Sequence, residues 1–177
     1  MNNLLKGLFL SMLVFPLMVS AQLKGDTYAE ASKKGSANVV YTYSEVPGFA
    51  SKNASGKMEG VCVDLMAKFA EFVEQKKGIK LNVVYKADKP NDFTYFLSDV
   101  KRSSGGVFGL SNTTITEERK KEYNFSDPYI TNVGMILTDK SVPTMTDIKS
   151  IATTFKGMTA ITVKNSTNEK SLLDIKA

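Results

Sequence analysis

Apolar residues alternate along the chain between a spacing typical of strands and a spacing typical of helices. Short runs rich in valine, tyrosine and leucine predict strands over residues 38–43, 79–85 and 107–110. Between them, apolar positions three and four residues apart predict helices over residues 65–77 and 93–100. Because strands and helices alternate, the sequence predicts an α/β fold with a largely parallel sheet.

Asp64 directly precedes the first of these predicted helices. Its carboxylate could accept hydrogen bonds from the N–H groups of the first helical turn, so we interpret Asp64 as an N-cap. A catalytic acid is the alternative, but a single acid in this position is far more often a cap.

The last third of the chain repeats the pattern with shorter elements. Residues 133–138 and 157–163 predict strands, and residues 148–155 predict a short helix. Residues 139–146 are polar and contain a proline, which is typical of a connection. The segment Ser166–Glu169 has the spacing of a capping box, so it predicts the start of a further helix.

The N-terminal residues have the pattern of an export signal. Lys6 precedes an apolar run over residues 7–19, and small residues end this segment at Ala21. The sequence therefore predicts a signal peptide over residues 1–21 that is cleaved after Ala21, and an exported protein. A membrane anchor is the alternative, but Pro16 breaks the apolar run, which is shorter than the roughly 20 residues of a spanning helix.

Residues 22–37 are polar and contain glycine, serine and lysine. Segments of this composition often connect a cleavage site to a folded domain. We therefore expect residues 22–37 to form a polar leader outside the domain.

The composition argues against several classes of protein. The chain has one cysteine and no histidine, so it cannot form an internal disulfide and offers no zinc cluster, Cys-His pair or Ser-His-Asp triad. Cys62 lies between two valines and is interpreted as buried packing. The net charge of +5, or +4 without Lys6, lacks the clustered basic stripe of a nucleic-acid-binding protein. We predict no catalytic residue, metal ligand, cofactor or nucleic-acid partner.

Hydrogen-bond donors and one fixed positive charge are densest between Gly109 and Tyr129. The polar run Ser111–Thr116 follows a predicted strand, and Thr116 can cap the charged turn Glu117–Lys121. In such an arrangement backbone N–H groups, hydroxyls and the planar fork of Arg119 converge on a small anion, which predicts a carboxylate site. The alternative is a solvated helix start, and composition alone favours it.

Two segments of this region, TITEER at Thr114–Arg119 and FSDPY at Phe125–Tyr129, resemble the signature of family 3 bacterial extracellular solute-binding proteins. The segment GVCVDL at Gly60–Leu65 resembles a further part of that family. The resemblance extends from Asn38 to the C-terminus. The same pattern occurs in the ligand-binding domains of ionotropic glutamate receptors, so it indicates a binding fold rather than one ligand.

The resemblance implies a type II periplasmic-binding-protein fold, which has two lobes around a ligand cleft. Residues 38–138 would form a nearly complete lobe 1, and residues 139–177 would form the hinge and a partial lobe 2. Family members are appreciably longer than 177 residues, so we interpret the sequence as a truncated form or a fragment.

The resemblance further implies a site for an amino acid or a similar small carboxylate. Arg119 would hold the carboxylate together with Thr114 and the amide of Thr116. The backbone carbonyl of Asn112 would accept a hydrogen bond from the ammonium group. Asn112 stands where the family often has glycine, which leaves this contact possible but narrows the cleft.

Other implied ligand-binding residues surround the side chain of the amino acid. Tyr43 and Phe93 would flank it from lobe 1, although ordinary strand packing explains Tyr43 equally well and the match of Phe93 is uncertain by one residue. Lys164, Thr167 and Asn168 would close over the ligand from lobe 2, where a helix N-terminus presents free N–H groups.

The function implied by the resemblance is that of a non-enzymatic, monomeric binding protein that delivers its ligand to an inner-membrane ABC permease. The alternatives are the related domains of a periplasmic dehydratase, a lytic transglycosylase or a sensor kinase. The absence of histidine argues against the first, and the absence of a lysozyme-like domain argues against the second. A sensor kinase would require a spanning helix downstream.

Overall fold

The structure is a computed structural model that describes residues 22–131 and 133–176, so the predicted signal peptide lies outside the described residues. Its helices are α1 (Tyr28–Lys34), α2 (Val61–Lys77), α3 (Phe93–Arg102), α4 (Glu117–Lys120), α5 (Ile151–Thr154) and α6 (Thr167–Lys176), with a 3-10 turn over Ile148–Ser150. Its strands are β1 (Ser36–Tyr43), β2 (Ser51–Lys52), β3 (Met58–Glu59), β4 (Lys80–Tyr85) and β5 (Val107–Leu110). Within the described ranges, no helix combines the length and apolarity that crossing a bilayer requires.

Strand β1 is the centre of a three-stranded parallel sheet with the order β4-β1-β5. The register places Tyr41 beside Tyr85 on one side and beside Phe108 on the other. Strands β2 and β3 form a separate antiparallel pair. The predicted α/β fold with a parallel sheet is confirmed, and so are the strands predicted over residues 38–43, 79–85 and 107–110.

The core lies between one face of the sheet and α2. Tyr41 is only 1% exposed, and its ring makes edge contacts with Tyr85 and Phe108 at centroid distances of 5.5 and 5.7 Å. Phe69 of α2 packs on Phe108 at 5.7 Å. On the opposite face α3 lies so close to β5 that a Cβ on Gly109 would stand 2.7 Å from Val100. The two helices therefore cover both faces of the sheet, which is typical of parallel sheets.

The prediction of a polar leader over residues 22–37 is wrong. Helix α1 begins at a complete capping box between Thr27 and Glu30, ends at Gly35 in the left-handed conformation, and buries Ala31. Leu23 is also buried. The segment is polar because α1 is short and contributes few side chains to the core, so composition could not distinguish it from a connection.

Backbone contact between residues 23–26 and 104–106 fixes this N-terminal segment. The N–H of Gly25 donates to the carbonyl of Ser104 at 3.0 Å, and the N–H of Gly106 donates to the carbonyl of Asp26 at 2.9 Å. A Cβ added to Gly25 would lie 2.3 Å from the carbonyl oxygen of Gly106. Glycine is required here because the two backbones touch.

The interpretation of Asp64 as an N-cap is also wrong. Helix α2 begins at Val61, and its N-cap is Gly60, which has a φ of 116° and no side chain to offer. A Cβ on Gly60 would lie 2.5 Å from the carbonyl oxygen of Phe49, so the chain can turn into α2 only through glycine. Asp64 lies within the first helical turn, where its negative charge favours the N-terminus of the helix.

The strands predicted over residues 133–138 and 157–163 do not form. Neither segment pairs with a strand of the described chain, and their apolar side chains are exposed, as Leu137 at 95% and Ile161 at 94% illustrate. A strand requires a partner to satisfy its backbone groups, and periodicity cannot show whether one is present. The helix predicted over residues 148–155 is confirmed as the 3-10 turn and α5.

We expect amide hydrogen exchange to separate these two parts of the chain. The β1 amides, which lie in a ladder between β4 and β5, should exchange far more slowly than those of residues 133–137 and 157–163, which have no ladder. Exchange measured by mass spectrometry on the 177-residue chain would test this. Equally strong protection across residues 157–163 would mean that this segment is paired in solution.

Candidate functional site

The candidate site begins at the carboxyl end of β5, where the chain leaves the sheet and enters α4. Thr116 has an extended backbone, and its Oγ1 accepts a hydrogen bond from the N–H of Arg119 at 3.2 Å. The predicted cap at Thr116 is therefore confirmed. Because this cap fixes the first turn of α4, it fixes the point from which the Arg119 side chain extends.

The guanidinium group of Arg119 lies between two backbone carbonyls. Its Nη1 donates to the carbonyl of Thr114 at 2.9 Å, and its Nη2 donates to the carbonyl of Asn165 at 3.0 Å. The Phe93 ring lies beside it, with its centroid 5.4 Å from Cζ. Arg119 thus joins the segment after β5 to the segment before α6. Its partner in the second segment, Asn165, lies 46 residues after Arg119.

Arg119 is a half-buried cation with no carboxylate partner in residues 22–131 and 133–176. Burial lowers the pKa of its guanidinium group, which nevertheless remains charged at neutral pH. The ion pairs in the described part of the chain are formed by lysines and by Arg102, and none of them includes Arg119. The two carbonyls occupy two of the five N–H donors of the guanidinium group, and the other three have no hydrogen-bond partner among the described residues.

The start of α6 faces this group. Ser166 Oγ accepts from the N–H of Glu169 at 3.2 Å, which confirms half of the predicted capping box. The Glu169 carboxylate accepts from the N–H of Asn165 at 2.7 Å, so the second half is shifted by one residue. The hydroxyl groups of Thr167 and Thr114 are 3.3 Å apart, which brings the N-terminus of α6 next to the segment that Arg119 contacts.

Five of the nine predicted site residues share contacts within this group, and among the described residues no hydrogen bond or ring contact joins the other four to it. Arg119, Thr114, Thr116, Phe93 and Thr167 form the group described above.

The other four residues lie in different surroundings. Tyr43 is only 3% exposed and packs in the core, which favours the packing alternative that the sequence left open. Asn112 is exposed, and its Oδ1 lies 3.5 Å from Ser111 Oγ. Lys164 and Asn168 are exposed beside the start of α6.

Sequence reasoning missed two residues that hold this group together. Asn165 Nδ2 donates to Thr94 Oγ1 at 2.9 Å, and Asn165 has a left-handed φ of 61°. Asparagine is one of the few residue types that tolerate this conformation. An asparagine just before a predicted helix start could therefore have indicated a left-handed turn here. Thr94 gave no signal, because its partner is 71 residues away.

Cys62, in the GVCVDL segment, contacts the FSDPY segment and the residue that follows β5. Its Sγ lies 3.1 Å from the hydroxyl of Tyr129 and 3.8 Å from the carbonyl of Ser111. Burial and the contact with Cys62 raise the pKa of Tyr129 to about 12, so its phenol remains protonated at neutral pH. Cys62 is buried as predicted, and it anchors the end of the FSDPY segment to the start of α2.

The arrangement places one cation, held by two backbone carbonyls, near the hydroxyls of Thr114 and Thr167. Within residues 22–131 and 133–176, no group of three or more Cys, Asp or Glu side chains is placed to hold a metal ion.

Comparisons with known proteins identify the family of the chain. Residues 39–175 match the family described as bacterial extracellular solute-binding proteins, family 3. The chain is 31% identical over 157 residues to the ABC transporter glutamine-binding protein GlnH of Bacillus subtilis, covering 86% of this chain and 52% of that protein. It is 30% identical over 131 residues to a probable histidine-binding protein of Neisseria gonorrhoeae, covering 71% of this chain and 44% of that protein.

A crystal structure of an ancestral amino-acid-binding protein, a precursor of cyclohexadienyl dehydratase, is similar at 27% identity with a TM-score of 0.39, over 58% of this chain and 40% of that one. The chain spans about half the length of the curated relatives it matches. Because the family match covers most of the sequence and includes every residue around Arg119, the chain belongs to the bacterial extracellular solute-binding proteins, family 3.

Proposed function

We propose that this protein binds an amino acid or a similar small carboxylate and delivers it to an inner-membrane ABC permease, without catalysing a reaction. The observation that carries the proposal is Arg119, a half-buried cation with no carboxylate partner among the described residues. Removing a charge from water is unfavourable unless a counter-charge compensates for it. A ligand carboxylate would supply that charge.

The neighbours of Arg119 suit the rest of an amino acid. Three guanidinium N–H donors are available, and a carboxylate can accept two of them in parallel. The hydroxyls of Thr114 and Thr167 are 3.3 Å apart near the Thr114 carbonyl that Arg119 contacts. The Phe93 ring offers an apolar surface. Lys164 and Asn168 are exposed near the start of α6, so we propose that they approach the ligand only when it is bound.

A binding role is favoured over an enzymatic one by the relatives and by the composition. The curated relatives described above are named as a glutamine-binding protein and a probable histidine-binding protein. The chain has no histidine to act as a general base near neutral pH. We propose glutamine and histidine as the first ligands to test, and we propose that the protein acts as a monomer.

Calorimetric titration of the 177-residue chain tests the proposal. L-glutamine and L-histidine should be compared with 4-aminobutanamide and histamine, which keep the side-chain and amino groups but lack the carboxylate. We expect binding of at least one amino acid and a loss of about a hundredfold or more for its decarboxylated analogue, because charged hydrogen bonds contribute roughly 1.5–3 kcal/mol each. Equal affinity for both members of a pair would contradict a carboxylate site.

We also propose that the protein is exported to the periplasm. The prediction is cleavage between Ala21 and Gln22, since small residues at Val19 and Ala21 suit a signal peptidase. N-terminal sequencing of the protein from a periplasmic extract would check this. A chain that still begins at Met1 and sediments with the membrane would contradict it.

A further inference from the structure

We propose that Asn165 is a positioning residue, which acts through Thr94 to hold Arg119 and the start of α6 in the arrangement that a ligand meets. The inference rests on the proposed function, because Asn165 affects ligand binding only if Arg119 binds the ligand. The contacts that carry it lie in the described part of the chain and involve no ligand.

The backbone of Asn165 supplies the first step. Among the described residues, Asn165 is the only one other than glycine with a positive φ, at 61°. This conformation turns the chain sharply before α6, and it presents the N–H of Asn165 to Glu169 at 2.7 Å and the carbonyl to Arg119 at 3.0 Å. An extended or helical backbone at this position would aim these two groups differently.

The side chain of Asn165 supplies the second step. Its Nδ2 donates to Thr94 Oγ1 at 2.9 Å, and Thr94 lies in the first turn of α3 next to Phe93. Asn165 therefore contacts α3 through its side chain, Arg119 of α4 through its carbonyl, and the first turn of α6 through its N–H. One residue joins three helices that come from distant parts of the sequence.

This connection affects the guanidinium group directly. Arg119 has two carbonyl partners, and one of them is the carbonyl of Asn165. If the Asn165–Thr94 bond is lost, the loop that carries this carbonyl is no longer tied to α3. The carbonyl of Asn165 is then positioned only through α6, whose Thr167 hydroxyl lies 3.3 Å from that of Thr114. This partner of the guanidinium group is therefore less fixed, and the orientation of Arg119 becomes less defined.

The chain offers a direct measurement, because it contains only two arginines, Arg102 and Arg119. Their Nε–Hε groups give two signals in a ¹H–¹⁵N spectrum of the ligand-free protein. Arg102 is an internal reference, since its Nε donates to the carbonyl of Ser98 within α3. The order of each Nε–Hε group can be obtained from ¹⁵N relaxation.

The variants remove each side of the contact separately. Asn165→Gly keeps the left-handed backbone and loses the amide, and Thr94→Val keeps the side-chain shape and loses the hydroxyl. We expect either change to lower the order parameter of Arg119 Nε–Hε to below about 0.6, the range of flexible groups, while Arg102 is unchanged. The double variant should show no further decrease in this order parameter. Asn165→Ala should lower it at least as much as Asn165→Gly does. Thr94→Ser, which keeps the hydroxyl, should retain the parental value.

Val163→Ala is the matched control, because Val163 lies two residues before Asn165 and its side chain is exposed. It should leave both arginine signals unchanged. An unaltered Arg119 signal in both Asn165→Gly and Thr94→Val would overturn the proposal, and so would an equal loss of order at Arg102 and Arg119. Failure of the proposed function gives a different result. The variants would still lower the order of the Arg119 signal, but the parent protein would not respond to L-glutamine or L-histidine. That result would refute binding of these amino acids and leave the role of Asn165 intact.

Discussion

Arg119→Ala should weaken amino-acid binding by at least about a hundredfold. Each hydrogen bond to a charged group contributes roughly 1.5–3 kcal/mol, and a bidentate carboxylate forms two of them. Since 1.4 kcal/mol corresponds to a tenfold change, the loss of both bonds accounts for a change of that size. The half-buried position of Arg119 adds to the effect, because water replaces the lost donors poorly there. Calorimetric titration with L-glutamine and L-histidine would measure it.

Three further variants show whether the effect belongs to the guanidinium fork. Arg119→Lys should recover little affinity, because an ammonium group cannot form the parallel pair of bonds. Lys120→Ala and Lys121→Ala should change affinity little, since both side chains are exposed and Lys120 pairs with Glu117 at 2.8 Å. Circular dichroism would confirm that each variant folds. If Arg119→Ala binds as tightly as its parent, the segment is a helix start and nothing more.

Tyr41→Ala should have the largest effect on stability, with a loss of about 3–5 kcal/mol in the free energy of unfolding. Tyr41 lies on the central strand, is 1% exposed, and packs edge to face between Tyr85 and Phe108. Removing its ring would leave a cavity and two aromatic rings without their shared partner. Urea denaturation at neutral pH, followed by circular dichroism, would measure the change.

Tyr41→Phe is the matched control for this prediction. The Tyr41 hydroxyl is buried and has no hydrogen-bond partner in the described part of the chain, and burial raises the pKa of Tyr41 to about 12. A buried polar group without a partner is unfavourable by about 1–3 kcal/mol, so its removal should leave stability unchanged or increase it. A clear loss of stability in Tyr41→Phe would show that the hydroxyl has a partner in solution.

Local signals in the sequence were sufficient for most of residues 38–120. Strands β1, β4 and β5 carry β-branched and aromatic runs, and α2 and α3 carry apolar residues at helical spacing, so their positions were predictable without knowledge of the fold. The same holds for Thr116, whose capping role depends only on the residues next to it. The position of Arg119 followed from that cap.

Features that depend on distant partners could not be predicted in this way. Residues 133–138 have the composition of a strand, but composition does not reveal that no strand of the described chain pairs with them. The burial of Tyr43 depends on the core cluster around it, which includes Cys62 of α2 and Leu110 of β5. The contact of Asn165 with Thr94 spans 71 residues and has no sequence pattern.

The central claim is that Arg119 holds the carboxylate of the ligand, and the Nε–Hε signal of Arg119 tests it most directly. ¹H–¹⁵N spectra of the 177-residue chain would be recorded during titration with L-histidine and, separately, with histamine; L-glutamine and 4-aminobutanamide form a second pair. The account predicts that the Arg119 signal shifts and saturates with the amino acid and not with its decarboxylated analogue, while the Arg102 signal stays in place. An Arg119 signal that is unmoved by an amino acid known from calorimetry to bind, or that moves equally with the analogue, would contradict the account.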